Sequence, residues 1–95
     1  MEIPNLILFK LGRLLMTPGA LTALQASGQS PWAFLVRHLA GDWGDLDAED
    51  KALNDVAVRD GSRILSAYST VQGAKLWIIT EADRSATTVL LPDEY

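Results

Sequence analysis

The chain has 95 residues, no cysteine and a formal net charge of −4. The absence of cysteine excludes disulfides and thiolate metal sites, and an acidic chain lacks the overall basic character that nucleic-acid binders use to neutralise phosphates. Its length and its 48% of hydrophobic residues predict one globular domain over residues 1–95.

The N-terminal region is apolar. Residues 1–4 lack the basic start of a signal peptide, and the run at 6–9 is too short to span a bilayer. We therefore expect a cytoplasmic protein with no membrane partner. The same region predicts a strand over residues 6–11, with a short helix as the alternative, because periodicity does not separate the two in so short a run.

Two short helices are predicted next from signals at their ends. Thr17 and Pro18 begin the first helix, and Gly28 ends it. Residues 30–31 repeat the start signal for the second helix, which ends at Gly41. The residues expected on the buried face of the second helix are Trp32, Leu35, Val36 and Leu39.

A third helix is predicted over residues 47–60, because Asp45 or Asp47 can cap it and Gly61 can end it. The residues expected on its buried face are Leu53, Val56 and Ala57.

Three strands are predicted after the helices, at residues 63–70, 75–81 and 87–91. Short turns between them indicate an antiparallel meander. The predicted fold class is α+β, with three short helices packed on one face of an antiparallel sheet of three to four strands. Apolar residues on both faces of the strand around 76–79 predict that both are covered, with the N-terminal segment and a second copy of the chain as alternatives.

The negative charge is concentrated in residues 42–60, which hold seven acidic residues against two basic ones. One interpretation is helix capping and solvation. The other is an anionic surface that imitates nucleic-acid phosphates and binds a basic protein partner rather than nucleic acid. The candidate binding residues are Asp42, Trp43, Asp45, Asp47, Glu49 and Asp50. Their spacing does not match a calcium loop, and we predict no metal and no cofactor.

The tryptophans divide into two groups. Trp32 and Trp77 lie on apolar stripes and are predicted to belong to the core. Trp43 lies in a loop flanked by glycines, where it either contacts a partner or folds back onto the core.

A catalytic interpretation would require His38, the only histidine. Helices followed by an antiparallel sheet are the layout of small ribonuclease-like toxins. If this chain were such an enzyme, His38, Glu81 and Arg84 could stabilise charge and move protons. The alternative places His38 at a helix end or partly in the core, and Arg84 in a hairpin turn. We predict no catalytic residue.

A family resemblance covers most of the chain. The stretches that carry it are TPGAL at 17–21, GDWGDLDAEDK at 41–51, RILSAY at 63–68 and LWIITEADRSATTVLLPDEY at 76–95. They resemble a family of small proteins encoded on bacterial plasmids and integrative elements, often labelled plasmid-related protein or, loosely, type I restriction enzyme subunit. The resemblance implies an accessory role on a mobile genetic element, such as countering host defence or aiding maintenance.

The leading hypothesis is a non-enzymatic accessory binding protein of a mobile genetic element. Its specific form is an inhibitor of a host defence nuclease, of the anti-restriction or anti-CRISPR type, that acts through the acidic surface. The alternatives are a small ribonuclease-like toxin and a structural adaptor that forms a homodimer.

Overall fold

Three helices pack on a four-stranded sheet in the computed structural model, which describes residues 7–95. The elements in chain order are β1 (Arg13–Met16), α1 (Pro18–Ser27), α2 (Trp32–Leu39), α3 (Ala48–Asp60), β2 (Ile64–Ser69), β3 (Lys75–Thr80), β4 (Ala86–Leu90) and a 3-10 turn (Pro92–Glu94). The strand order is β1-β4-β3-β2. This architecture confirms the predicted α+β class. Within residues 7–95, no helix has both the length and the apolar character needed to cross a bilayer.

The sheet is antiparallel except at β1, which pairs parallel to β4 with Arg13 opposite Ala86. The strand predicted over residues 6–11 is wrong for residues 7–11, and residue 6 lies outside the described part of the chain. The strand begins only after Gly12, whose positive φ of 66° brings the backbone against Ser85. This left-handed turn, which favours glycine, directs the following residues onto β4.

The predicted ends of α1 and α3 are confirmed, because they depend on local chemistry. The side chain of Thr17 accepts a hydrogen bond from the Ala20 amide at the start of α1, and that of Asp47 accepts one from the Asp50 amide at the start of α3. Gly28 and Gly61 end these helices in the left-handed conformation.

The main core lies between the sheet and the helices α1 and α2. Its buried members are Ala20, Leu24, Phe34, Leu35, Tyr68, Leu76, Ile78 and Val89. The predicted buried face of α2 is wrong at Trp32 and Val36, which are exposed, because the inward residues are Phe34, Leu35 and His38. A second cluster beside α3 comprises Phe9, Trp43, Ala57 and Ile64.

The face of the sheet opposite the helices is also apolar, and Ile79 and Leu90 on it are buried. Trp77 on this face is half-buried and meets the ring of Tyr95 edge-to-face, with 5.7 Å between the ring centroids. The guanidinium of Arg63 lies 5.5 Å from the centre of the Tyr95 ring. Tyr95 therefore covers part of this face, a role that was not predicted from the sequence.

The outer edge of β2 is closed by hydrogen bonds from outside the sheet. Ala67 donates its amide to the Trp43 carbonyl (3.2 Å) and accepts from the Asp45 amide (2.7 Å). The side-chain amide of Asn54 donates to the Leu65 carbonyl (2.7 Å) and accepts from the Leu65 N–H (3.3 Å). A side chain of α3 therefore occupies the place of a neighbouring strand.

Replacing Asn54 with alanine is expected to lower the free energy of unfolding by about 2 kcal/mol, because the Leu65 N–H and C=O lose their partners at a half-buried position. Urea denaturation followed by circular dichroism measures the change. Lys51→Ala, at an exposed position of the same helix, is the control and should change stability by less than about 0.5 kcal/mol. Equal losses in the two variants would show that the Asn54 bridge does not stabilise the fold.

Candidate functional site

Trp43 is placed in the core rather than on the surface, the second of the two alternatives for this residue. Its side chain is 3% exposed, and its indole N–H donates to the Asp55 carboxylate at 2.9 Å. Its ring centroid lies 6.3 Å from that of Phe9 and 6.0 Å from that of His38. Trp43 therefore anchors the loop before α3 onto the core.

Asp42 and Asp45 are engaged by cations of the chain itself. The Arg37 guanidinium donates to Asp42 at 2.7 Å, and this bond lowers the pKa of the carboxyl and raises the pKa of Arg37. Asp45 accepts from the Ser69 hydroxyl at 3.0 Å and lies 4.0 Å from the Lys75 ammonium. Because these contacts offset their charge, the two carboxylates contribute less to an anionic surface than the sequence implies.

The carboxylates of Asp47, Glu49 and Asp50 lie together at the start of α3. Asp47 caps the helix, and Glu49 and Asp50 are exposed in its first turn. Neither of these two has a cationic partner within 4 Å among residues 7–95. The positive end of the helix dipole stabilises carboxylates at this position. The anionic part of the candidate site is therefore the first turn of α3.

Two large apolar side chains on α3 face solvent next to this anionic turn. Leu53 is 63% exposed and Val56 is 46% exposed, so their predicted burial is wrong. They are exposed because α3 packs through Asn54 and Ala57 against the edge of the sheet. Residues spaced by three and four positions share one face of a helix. This face, the α3 stripe, comprises Glu49, Leu53, Val56 and Asp60.

An open groove of about 280 Å³ borders the α3 stripe. Its lining residues are Leu46, Asp50, Leu53, Asn54, Arg63 and Leu65. Three leucines give it an apolar floor, and Asp50 supplies a carboxylate. The Arg63 guanidinium also lines the groove and donates to the Tyr95 hydroxyl. This groove could not be predicted from the sequence, because Leu46, Leu53 and Leu65 come from three separate segments.

His38 is fully buried at the start of a hydrogen-bonded chain that fixes its tautomer. The Leu11 carbonyl can only accept, so the Thr87 hydroxyl donates its one proton to it (2.7 Å). The Thr80 hydroxyl must then donate to the Thr87 oxygen (2.7 Å). Thr80 then accepts from Nε2–H of His38 (2.9 Å), and Nδ1 accepts from the Ser66 hydroxyl (2.6 Å). Both ring nitrogens are occupied inside the protein.

Burial lowers the pKa of His38 to about 3, with a smaller contribution from the positive charge of Arg84. The imidazole is therefore neutral at physiological pH and has no free nitrogen for a substrate. The sequence predicts a helix-end or partly buried histidine. Its partners could not be predicted, because Ser66, Thr80 and Thr87 come from three different strands.

Arg84 has a positive φ of 60° in the β3–β4 turn. Its guanidinium donates to the carbonyls of Ala57 (2.8 Å) and Ser62 (2.6 Å), which stabilises the end of α3. With His38 buried and Arg84 bonded to backbone carbonyls, the structure does not bring them together with Glu81 in a cleft open to substrate.

Among residues 7–95, no three acidic or histidine side chains converge in a way that could hold a metal ion. The arrangement of the site therefore consists of an anionic helix turn, two exposed apolar side chains and an adjoining groove. Comparisons of the chain with protein-family models, with curated proteins and with solved structures find no match.

Proposed function

We propose that the chain is a non-enzymatic binding protein that contacts a basic protein surface through α3. The observation that carries this proposal is the α3 stripe, in which Leu53 and Val56 face solvent between Glu49 and Asp60. An apolar centre with a charged rim is the usual composition of a protein–protein interface.

The two components of the stripe have different roles in binding. Transfer of a large aliphatic side chain such as Leu53 from water into an interface is worth about 1.5–3 kcal/mol. The carboxylates of Glu49 and Asp50 accelerate encounter with a positively charged partner and select against acidic ones. The apolar pair therefore supplies the buried surface, and the carboxylates supply the salt dependence and the selection of a basic partner.

The groove beside the stripe fits a long basic side chain. Its floor of Leu46, Leu53 and Leu65 accommodates the aliphatic part of a lysine or arginine, whose charged end binds the Asp50 carboxylate and stays away from Arg63. A partner that inserts such a residue satisfies both the apolar and the anionic parts of the site.

The partner class that this chemistry favours is a nucleic-acid-binding protein, whose basic surface ordinarily contacts phosphates. In the mobile-element setting that the family resemblance implies, such a partner is a host defence nuclease of the restriction or CRISPR type. The chain then inhibits by occupying the surface that the nuclease uses for nucleic acid. Support comes from the exposed carboxylates of Asp47, Glu49 and Asp50 and from the resemblance.

Site-specific photo-crosslinking in bacterial extract tests the proposal. A crosslinker at position 53 is expected to capture a basic protein at low salt, and the yield should fall at about 0.5 M salt, where charges are strongly screened. The matched control is position 71, because Val71 is also exposed but lies in the β2–β3 turn. Short duplex nucleic acid should compete with capture at position 53.

Charge-reversal variants identify the surface. Glu49→Lys with Asp50→Lys should reduce capture at least tenfold, whereas Glu81→Lys with Asp93→Lys, at exposed positions outside the α3 stripe, should leave it unchanged. Equal capture by the two double variants, or capture insensitive to both salt and nucleic acid, would refute the proposed binding mode.

A further inference from the structure

The strand β1 forms the outer edge of the sheet on the side away from β2. Arg13 and Thr17 donate their amides to the carbonyls of Ser85 and Val89, at 2.9 and 3.0 Å. In a parallel pair, alternate residues bond to the neighbouring strand, so Leu15 also faces β4. The N–H and C=O groups of Leu14 and Met16 therefore point away from the sheet.

The two edges of the sheet differ in whether their outward N–H and C=O groups have hydrogen-bond partners. At β2, Asn54 and the backbone of Trp43 and Asp45 bond to the outward groups. At β1, no residue between 7 and 95 bonds to the outward groups of Leu14 and Met16. An unprotected strand edge is a template for pairing with another strand.

We propose that a second copy of this chain pairs antiparallel with β1, about a two-fold axis through Leu15. In this register the Leu14 N–H donates to the Met16 carbonyl of the second copy, and the Met16 N–H donates to its Leu14 carbonyl. The two-fold axis repeats both bonds, so every outward group of both strands has a partner. The product is a continuous sheet across two copies.

The side chains of β1 suit this self-pairing. Leu14 is 38% exposed and Leu15 is 41% exposed, and the pairing places Leu15 against its own counterpart. Arg13 lies opposite Thr17 of the second copy. The Thr17 hydroxyl donates to the Glu94 carboxylate in each copy, so the cation of one copy approaches an anion of the other. Charge complementarity thus favours a second copy as the occupant.

The contact is short, since β1 has four residues. Interfaces that bury less than about 1,200 Å² in total are mostly weak and transient. We therefore expect a dimer that dissociates on dilution, independently of any binding by α3.

Two measurements on the unmodified chain test the dimer. Sedimentation velocity over a concentration series should show a monomer–dimer equilibrium. Amide hydrogen exchange should slow at Leu14 and Met16 as concentration rises, whereas Leu15 should be protected at every concentration by its bond to β4. A chain that remains monomeric at all concentrations, or rapid exchange at Leu14 and Met16 at the highest one, would overturn the proposal.

Two substitutions separate the backbone contribution from the charge contribution. Leu14→Pro removes an N–H that no residue between 7 and 95 uses, and it should abolish the dimer. Arg13→Glu should raise the dissociation constant at least tenfold, and Arg13→Lys should restore most of the affinity. Dimerisation as strong in Arg13→Glu as in the unmodified chain would contradict the proposed register even if Leu14→Pro failed to fold.

Discussion

Gly44→Ala is expected to lower the free energy of unfolding by about 4 kcal/mol, the largest effect of any single substitution proposed for this chain. Gly44 has a φ of +77°, which costs an alanine about 1–2 kcal/mol. A Cβ at this position would also overlap the Ala67 carbonyl oxygen and lie 2.6 Å from Cδ1 of Tyr68. The segment would have to move, with loss of the Asp45–Ala67 hydrogen bond that closes the β2 edge.

Gly61→Ala is the matched control for this prediction. Gly61 has a similar φ of +80°, but a Cβ there meets no atom within 4 Å. Its substitution should therefore cost only the conformational penalty, about 1–2 kcal/mol. Chemical denaturation of both variants gives the difference. Equal losses would mean that the contact between Gly44 and β2 contributes nothing to stability.

The stability of the chain is expected to fall by about 2.5 kcal/mol between about pH 7.5 and about pH 4.5 because of His38. The pKa of this histidine is about 3 in the folded state, against an ordinary value of 6.5. The unfolded chain therefore binds a proton first, so the stabilisation is complete above pH 6.5 and is lost as the pH falls toward 3. As His38 is the only histidine, no other histidine contributes in this window.

His38→Gln separates this effect from the titration of carboxyl groups. The variant has no group at position 38 that titrates, so its stability should be nearly constant from about pH 7.5 to about pH 4.5, whatever its absolute value. Denaturation curves at several pH values measure both proteins. In addition, the ring signals of His38 in the folded chain should not titrate above about pH 4.5. A midpoint near 6.5 would contradict the buried neutral state.

The ends of the helices could be predicted from the sequence, because caps depend on adjacent residues. Thr17, Gly28, Asp47 and Gly61 act as the pattern indicates. The inward face of α3 could not be predicted from hydrophobicity. A polar residue, Asn54, faces inward because it bonds to the open edge of β2, and that edge is visible only in the folded chain.

The position of β1 could not be predicted from the sequence pattern either. Its partner β4 lies at the other end of the chain, whereas rules for short connections predict only neighbouring strands. Residues 7–11 follow an irregular path, in which Phe9 packs against His38 and Trp43. The hydrophobicity of Phe9 therefore reflects burial rather than strand formation, whereas Ile7 and Leu8 are exposed.

The exposed carboxylates of the candidate site could be predicted from the sequence, but the apolar residues beside them could not. Asp47, Glu49 and Asp50 are exposed, as the binding hypothesis requires. Trp43 is in the core, and Asp42 is paired with Arg37. Leu53 and Val56, which the pattern assigned to the core, are the residues that turn the charged helix into a candidate interface.

The two proposed contacts lie at opposite edges of the sheet. The helix α3 packs beside β2, and β1 is the strand furthest from it. A dimer through β1 would therefore carry its two α3 stripes at the two outer ends of one sheet. A partner with two matching sites would gain affinity from simultaneous binding without any new contact.

The central claim, that α3 is the binding surface, is tested most directly by the methyl resonances of the chain in complex with the captured partner. Binding through the α3 stripe predicts that the signals of Leu53 and Val56 shift or broaden, while those of Val71 and Leu21 remain in place. Unchanged signals from Leu53 and Val56 in a saturated complex would contradict binding through the α3 stripe.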